Sequence, residues 1–141
     1  VDVSLLAAGA WAMSAGIALS LQMQRPWAPP PPGGLAAFNP LVGTYTTSDG
    51  RAICLVMLQA ARYWPDFCRH IDRPELAKDP RFDGNEKLMA NAAEGVAILR
   101  EVFQKRTLAE WTQRFQTLEG QWAPVQNTLE VAADPQVRAN G

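Results

Sequence analysis

The alternation of apolar and polar positions changes period three times between Asn39 and Phe82, and each change marks an element. Leu41 to Thr47 is rich in β-branched and aromatic residues, Asp49-Gly50 is a two-residue turn whose positive φ angles suit a hairpin, and Ala52 to Leu58 is a continuous apolar run. The expectation is a strand, a tight turn and a second strand buried on both faces. At Arg62 the period becomes helical, with Tyr63, Phe67 and Ile71 four apart and Trp64 and Cys68 on the adjoining ridge. Pro65 lacks an amide proton and is tolerated only in a first turn, which puts the helix start close to Trp64. Asp72 to Gly84, with Pro74 and Pro80, reads as a loop holding at most a single turn.

From Asn85 a helix is expected to run to Lys105 or Arg106, burying Leu88, Ala92, Val96, Leu99 and Phe103. Thr107 and Glu110 have the spacing of a capping box, Leu108, Trp111, Phe115 and Leu118 form the stripe of the next helix, and Gly120 is expected to end it. Gln121 to Gln126 is short and apolar, and Pro124 confines it to a sheet edge beside the hairpin. Thr128 caps a short last helix that Pro135 follows. Tyr45 to Val125 should therefore fold as one unit around Ile53, Leu55, Trp64, Phe67, Leu99, Phe103, Trp111 and Phe115.

Before the hairpin the pattern differs. Val1 to Gln24 carries no charge after Asp2, but its few strongly inserting residues, against three serines and two glycines, make it a marginal membrane span, and no basic region precedes it as in a signal peptide. Ser4, Ala8, Ala12, Gly16 and Ser20 are small residues four apart, so one stripe of a single long helix admits a close neighbour. It reads as a core helix and as an association surface. Arg25 to Asn39 (RPWAPPPPGGLAAFN) has prolines that forbid helix and sheet and a Gly33-Gly34 pivot, which makes it a linker or a loop.

Composition narrows the function classes. The 141 residues hold 13 basic and 14 acidic side chains, interspersed, for a net charge of −1, which gives no footprint for nucleic acid or anionic lipid. Cys54 and Cys68 form no metal-ligand cluster and read as buried thiols in a reducing cytoplasm. His70 is the only histidine, so a two-histidine metal site is excluded, and it reads as a packed or surface residue. No nucleophile elbow or phosphate-binding glycine loop is present. Asp66, Asp72, Glu75, Asp79 and Asp83 alternate with Arg69, Arg73, Lys78 and Arg81, the pattern of mutual neutralisation at a surface.

Several ordered blocks carry a family resemblance: Thr47 to Gly50, Trp64 to Cys68, Arg73-Pro74-Glu75-Leu76, Asp79-Pro80-Arg81-Phe82, Gly120 to Val125, Glu130-Val131 and Asp134-Pro135-Gln136. Together they resemble the small domain of the family III CoA-transferases, which include formyl-CoA transferase, carnitine CoA-transferase and α-methylacyl-CoA racemase. The resemblance implies a parent enzyme that transfers CoA between an acyl-CoA and a carboxylic acid through an Asp-bound intermediate, or racemises an acyl-CoA, with the catalytic Asp upstream of Val1. It also implies a homodimer of interlocked chains, and no cofactor beyond the CoA thioester substrate. Formyl-CoA transferase has a mobile glycine-rich loop just ahead of the small-domain hairpin; here Gly33 and Gly34 match it, with four prolines beside them. They are the substrate-loop candidates, and no catalytic residue is assigned within the chain.

The resulting expectation is an α+β fragment, with a long N-terminal helix, a Pro-rich linker and a short antiparallel sheet packed against three or four helices. Residues 1–24 would belong to the large CoA-binding domain, 25–39 to the linker, 40–134 to the small domain and 135–141 to the return linker. The alternative from another class is a non-enzymatic interaction module that uses the Ser4 to Ser20 stripe. The fragment alone is expected to be inactive, cytoplasmic, and bound to neither membrane nor nucleic acid.

Overall fold

The computed structural model describes residues 4–26 and 38–139, and the chain divides into two units, Val1–Pro32 and Gly33–Gly141. In the first unit the expected single helix is two, α1 (Leu5–Ala12) and α2 (Ser14–Met23), bent by 67° at Met13. Ser4 caps α1 through its hydroxyl, which accepts from the Ala7 amide, and Gln24 closes α2 in the left-handed region at φ 53°. The bend puts Ser4 and Ala8 on one helix and Gly16 and Ser20 on the other, so the small residues do not form one straight stripe. No single helix among the described residues is long and apolar enough to cross a membrane, although this bent pair passes by length and composition together.

The second unit is built on a three-stranded antiparallel sheet in the order β1 (Val42–Thr46), β2 (Ala52–Val56), β3 (Trp122–Pro124). Tyr45 pairs with Ile53 and Ile53 with Pro124, so the proline lies at the edge where its missing amide costs nothing. The hairpin loop has three residues, not two: the Thr47 amide donates to Arg51 O at 2.9 Å and Gly50 takes φ 73°, the left-handed position that a three-residue loop requires. β2 is covered on one face only. Ile53 and Leu55 are fully buried while Val56 is 48% exposed, because helices pack on one side of the sheet and, among the described residues of this unit, no helix covers Val56 on the other.

Helix α3 (Ala60–His70) starts four residues earlier than expected and carries Pro65 in its interior. Its first turn is tightened, the Arg62 amide reaching Gln59 O at 3.0 Å in an i to i−3 bond. The chain leaves α3 through a Schellman turn: Arg73 N to Cys68 O at 2.9 Å, Asp72 N to Arg69 O at 3.2 Å, and Asp72 at φ 58°. A 3-10 turn over Pro74–Lys78 follows. The helix expected from Asn85 is also broken, into α4 (Asn85–Ala90) and α5 (Ala92–Phe103). At the break Asn91 Nδ2 lies 3.0 Å from both Arg81 O and Lys87 O, so a side chain anchored to the preceding loop decides where the axis turns.

Helix α6 (Leu108–Arg114) opens with the capping box expected of Thr107 and Glu110 and gives way to a 3-10 turn over Phe115–Thr117. α7 (Thr128–Ala133), capped by Asn127, and α8 (Pro135–Ala139) finish the described chain. The core is aromatic: Phe103 contacts Tyr45, Phe67, Trp111 and Phe115 at ring separations of 5.0 to 6.4 Å. Each tryptophan packed there also places its N–H, Trp64 on Leu76 O, Trp111 on Phe103 O and Trp122 on Phe115 O, at 3.0 to 3.1 Å. All eight residues expected at the centre are buried, and the α+β architecture is the one anticipated.

Candidate functional site

The groups that chemistry would call on first are occupied by structure. Both ring nitrogens of His70 are engaged, Nδ1 with Asp66 O at 2.8 Å and Nε2 with Thr117 Oγ1 at 3.0 Å, so the imidazole ties α3 to the turn after α6. The Cys68 thiol is fully buried, and burial pushes its pKa up to about 12, with Glu75 acting in the same direction and Arg73 against it. Cys54 is half-buried on the open face of the sheet. The acidic loop is neutralised as expected: Asp66 pairs with Arg69, Glu75 with Arg73, Asp79 with Arg81, and Asp83 with Lys87. Asp79 accepts from the Arg81 guanidinium and amide, which lowers its pKa to about 2. Asp72 receives Arg106 at 2.7 Å and Arg114 at 2.5 Å. No group of three His, Cys, Asp or Glu side chains among the described residues could hold a metal. Gly33 and Gly34 lie outside the described residues.

Two of the three depressions found in the second unit lie at strand or hairpin ends and compete as a binding surface, and charge accounting separates them. The first, about 500 Å³, lies between the hairpin loop and α6. Its ionic groups are committed: Asp49 accepts from Thr47 Oγ1 at 2.5 Å and from the Leu108 amide at 3.2 Å, and Arg51 pairs with Glu130 at 2.8 Å. The hairpin loop is thereby latched to the start of α6, helped by Ser48 N to Arg106 O at 3.0 Å. This groove is a by-product of that latch.

The second depression, about 440 Å³, opens at the end of β2 and is lined by Val56, Leu58, Gln59, Arg62, Tyr63 and Gln121. Strand alternation creates it: Ile53, Leu55 and Met57 point into the core, so Val56 and Leu58 face outward, and Leu58 is 72% exposed. Arg62, in the first turn of α3, is exposed, and its guanidinium stands 5.4 Å from the Tyr63 ring centroid. No carboxylate among the described residues pairs with it, unlike Arg69, Arg73 and Arg81 nearby. Gln121 Nε2 donates to Tyr63 Oη at 3.4 Å, and Gln59, the residue before α3, gives its first turn no side-chain cap. Asn39 Nδ2 donates to Met57 O at 3.2 Å, so the chain enters the unit beside this depression. An apolar shelf next to an uncompensated cation and two amides suits an anion with an apolar body. Sequence reasoning missed Leu58 and Arg62; the available signal was that Arg62 is the first charge after the ten-residue run from Ala52 to Ala61.

A family description, CoA-transferase family III, matches residues 1–141. The chain is 28% identical over 102 residues to the (R)-2-hydroxy-4-methylpentanoate CoA-transferase of Clostridioides difficile, which covers 72% of this chain and 26% of that protein. It is 31% identical over 74 residues to the succinyl-CoA:glutarate CoA-transferase of Homo sapiens, covering 52% of this chain and 17% of the human protein. In structure it resembles a CAIB/BAIF family protein from Brucella suis with TM-score 0.73 at 22% identity, over 92% of this chain and 33% of that one. The chain thus spans about a quarter of the first of these relatives, 26% of its length. With its whole length matched, the chain belongs to CoA-transferase family III.

Proposed function

We propose that this chain is part of an enzyme that moves CoA from an acyl-CoA to a carboxylic acid, and that the depression at the end of β2 forms one wall of its acyl site. The observation that carries the reading is the family match over residues 1–141. Both curated relatives described above have transferase names, which favours transfer over racemisation. In this reading residues 40–134 are the small domain, 1–24 belong to the large domain, and Gly33 and Gly34 are substrate-loop residues.

The nucleophile is assigned outside the chain, as the family resemblance implies, and the loop carboxylates here are held in ion pairs or hydrogen bonds. In the proposed reaction an Asp carboxylate attacks the thioester carbonyl and expels the CoA thiolate, leaving a mixed anhydride. The thiolate then attacks the aspartyl carbonyl and releases the donor acid, leaving an enzyme thioester; the acceptor carboxylate displaces the thiolate to form a second mixed anhydride, and the thiolate attacks its acyl carbonyl to release the new acyl-CoA and the free Asp carboxylate. What the residues at the end of β2 contribute is orientation and exclusion of water, since an acyl anhydride exposed to solvent hydrolyses.

The test is to incubate the full-length protein with acyl-CoA and acceptor acids, then trap with hydroxylamine and map the hydroxamate. CoA exchange with the hydroxamate on an Asp outside residues 1–141 is expected. Hydroxamate on any Asp or Glu of these residues, or no CoA exchange with any acid, would overturn the reading.

A further inference from the structure

We infer that Asp83-Gly84 is a site of spontaneous isomerisation, where the Gly84 amide closes on the Asp83 carboxyl to a succinimide that opens to isoaspartate. The chain holds a second Asp-Gly pair, Asp49-Gly50, and the two match in everything but their hydrogen bonds. All four residues are exposed, both glycines take a positive φ, 73° at Gly50 and 87° at Gly84, and a Cβ built on either would meet nothing within 4 Å. At the hairpin, however, both reacting groups are held. Asp49 Oδ1 accepts from Thr47 Oγ1 at 2.5 Å and Oδ2 from the Leu108 amide at 3.2 Å, while the Gly50 amide donates to Thr47 O at 3.0 Å. Bringing that amide onto that carboxyl means breaking the latch between the hairpin loop and α6.

At Asp83 neither group is held. Its side chain is 80% exposed, and its ion pair with Lys87 at 3.5 Å is a surface pair of the kind that contributes little. The Gly84 amide donates to no acceptor among the described residues, because Gly84 stands just ahead of α4 and has no side chain to cap it. In the reaction the Gly84 nitrogen bonds to Cγ of the protonated Asp83 carboxyl, and the amide proton leaves with the carboxyl hydroxyl as water. Water then adds at the Asp83 backbone carbonyl and breaks its bond to the Gly84 nitrogen, so the chain continues through Cβ and Cγ. The water lost is regained, and no other reactant is needed. The isomer lengthens the backbone between Phe82, buried in the core, and Gly84 O, which accepts the Leu88 amide at 3.0 Å, so the change reaches the start of α4.

The experiment ages the full-length protein in heavy-oxygen water, folded and in denaturant, and maps isoaspartate and incorporated label at both Asp-Gly pairs by peptide chromatography and mass spectrometry. In the folded protein isoaspartate is expected at Asp83 in about tenfold excess over Asp49 or more, the factor that the net value of a single latch hydrogen bond supplies. In denaturant, where the latch is gone, both pairs should react and the excess should collapse. Asp83→Glu keeps the charge but would have to close a larger ring, so it should abolish isomerisation and label at this position and leave Asp49 unchanged. Equal rates at the two pairs in the folded protein would overturn the inference. So would label that enters Asp83 only in denaturant, or an excess at Asp83 that persists there, which would make the flanking residues and not the fold responsible.

Discussion

Gly120 and Met57 share a space that admits only one side chain. A Cβ built on Gly120 would stand 2.3 Å from Met57 Sδ and 2.9 Å from Met57 Cγ, and Met57 is fully buried in the core. The thioether is flexible, but its Cγ is close to the backbone and cannot swing away without displacing its neighbours. Gly120→Ala is therefore expected to lower stability by about 1–3 kcal/mol, the cost of overpacking, and the loss should shrink when Met57→Ala is added. Chemical denaturation of the two single variants and the double variant checks this; additive losses would show that the two positions do not compete. The residue scale is also where the sequence misleads most. Gly120 reads as a helix terminator, yet α6 has already ended at Arg114 and the glycine serves a contact 63 positions earlier in the chain. Leu58 and Arg62 were hidden for the same reason: whether a strand end is covered depends on what packs on its sheet, which no local period records.

Among the elements, α3 shows what periodicity carries and what it does not. Its buried ridge, Trp64, Phe67 and Cys68, was legible from spacing, but its start was not, because tightening the first turn lets the helix begin ahead of Pro65. The breaks at Met13 and Asn91 were equally silent, since neither residue is Gly or Pro and the bond that ties Asn91 to Arg81 O is made ten residues away in the chain. The exit of α3 gives a separable prediction. Asp72 combines a left-handed backbone, φ 58°, with ion pairs to Arg106 and Arg114, and its side chain is 52% exposed. Asparagine tolerates that backbone, so Asp72→Asn removes only the exposed pairs, and a loss under about 1 kcal/mol is expected. Asp72→Ala also removes the short polar side chain that eases Asp and Asn into the left-handed region, and should cost up to about 1 kcal/mol more. Equal losses in the two variants, read from urea midpoints, would mean that the charge and not the backbone sets the cost.

At the scale of the whole molecule the two units differ in kind. Every member of the hydrophobic core cluster lies between Leu41 and Leu118, so the second unit carries a complete core of its own. Among the described residues of the first unit no such interior is found: Leu6 is 83% exposed, Trp11 80%, Met13 66% and Leu21 67%. Contiguous apolar surface of that extent associates in water, since each buried Å² contributes roughly 25 cal/mol. The expectation is that the purified 141-residue chain sediments heavier than a monomer, while a chain of residues 38–139 stays monomeric and unfolds cooperatively. Because the core cluster is untouched, the urea midpoint of the shorter chain should match that of the second unit in the longer one. A monomeric 141-residue chain would show that the apolar faces of α1 and α2 do not drive association. A shorter chain that unfolds without a cooperative transition would mean that the core between Leu41 and Leu118 depends on residues outside it, and that the small domain is not a folding unit by itself.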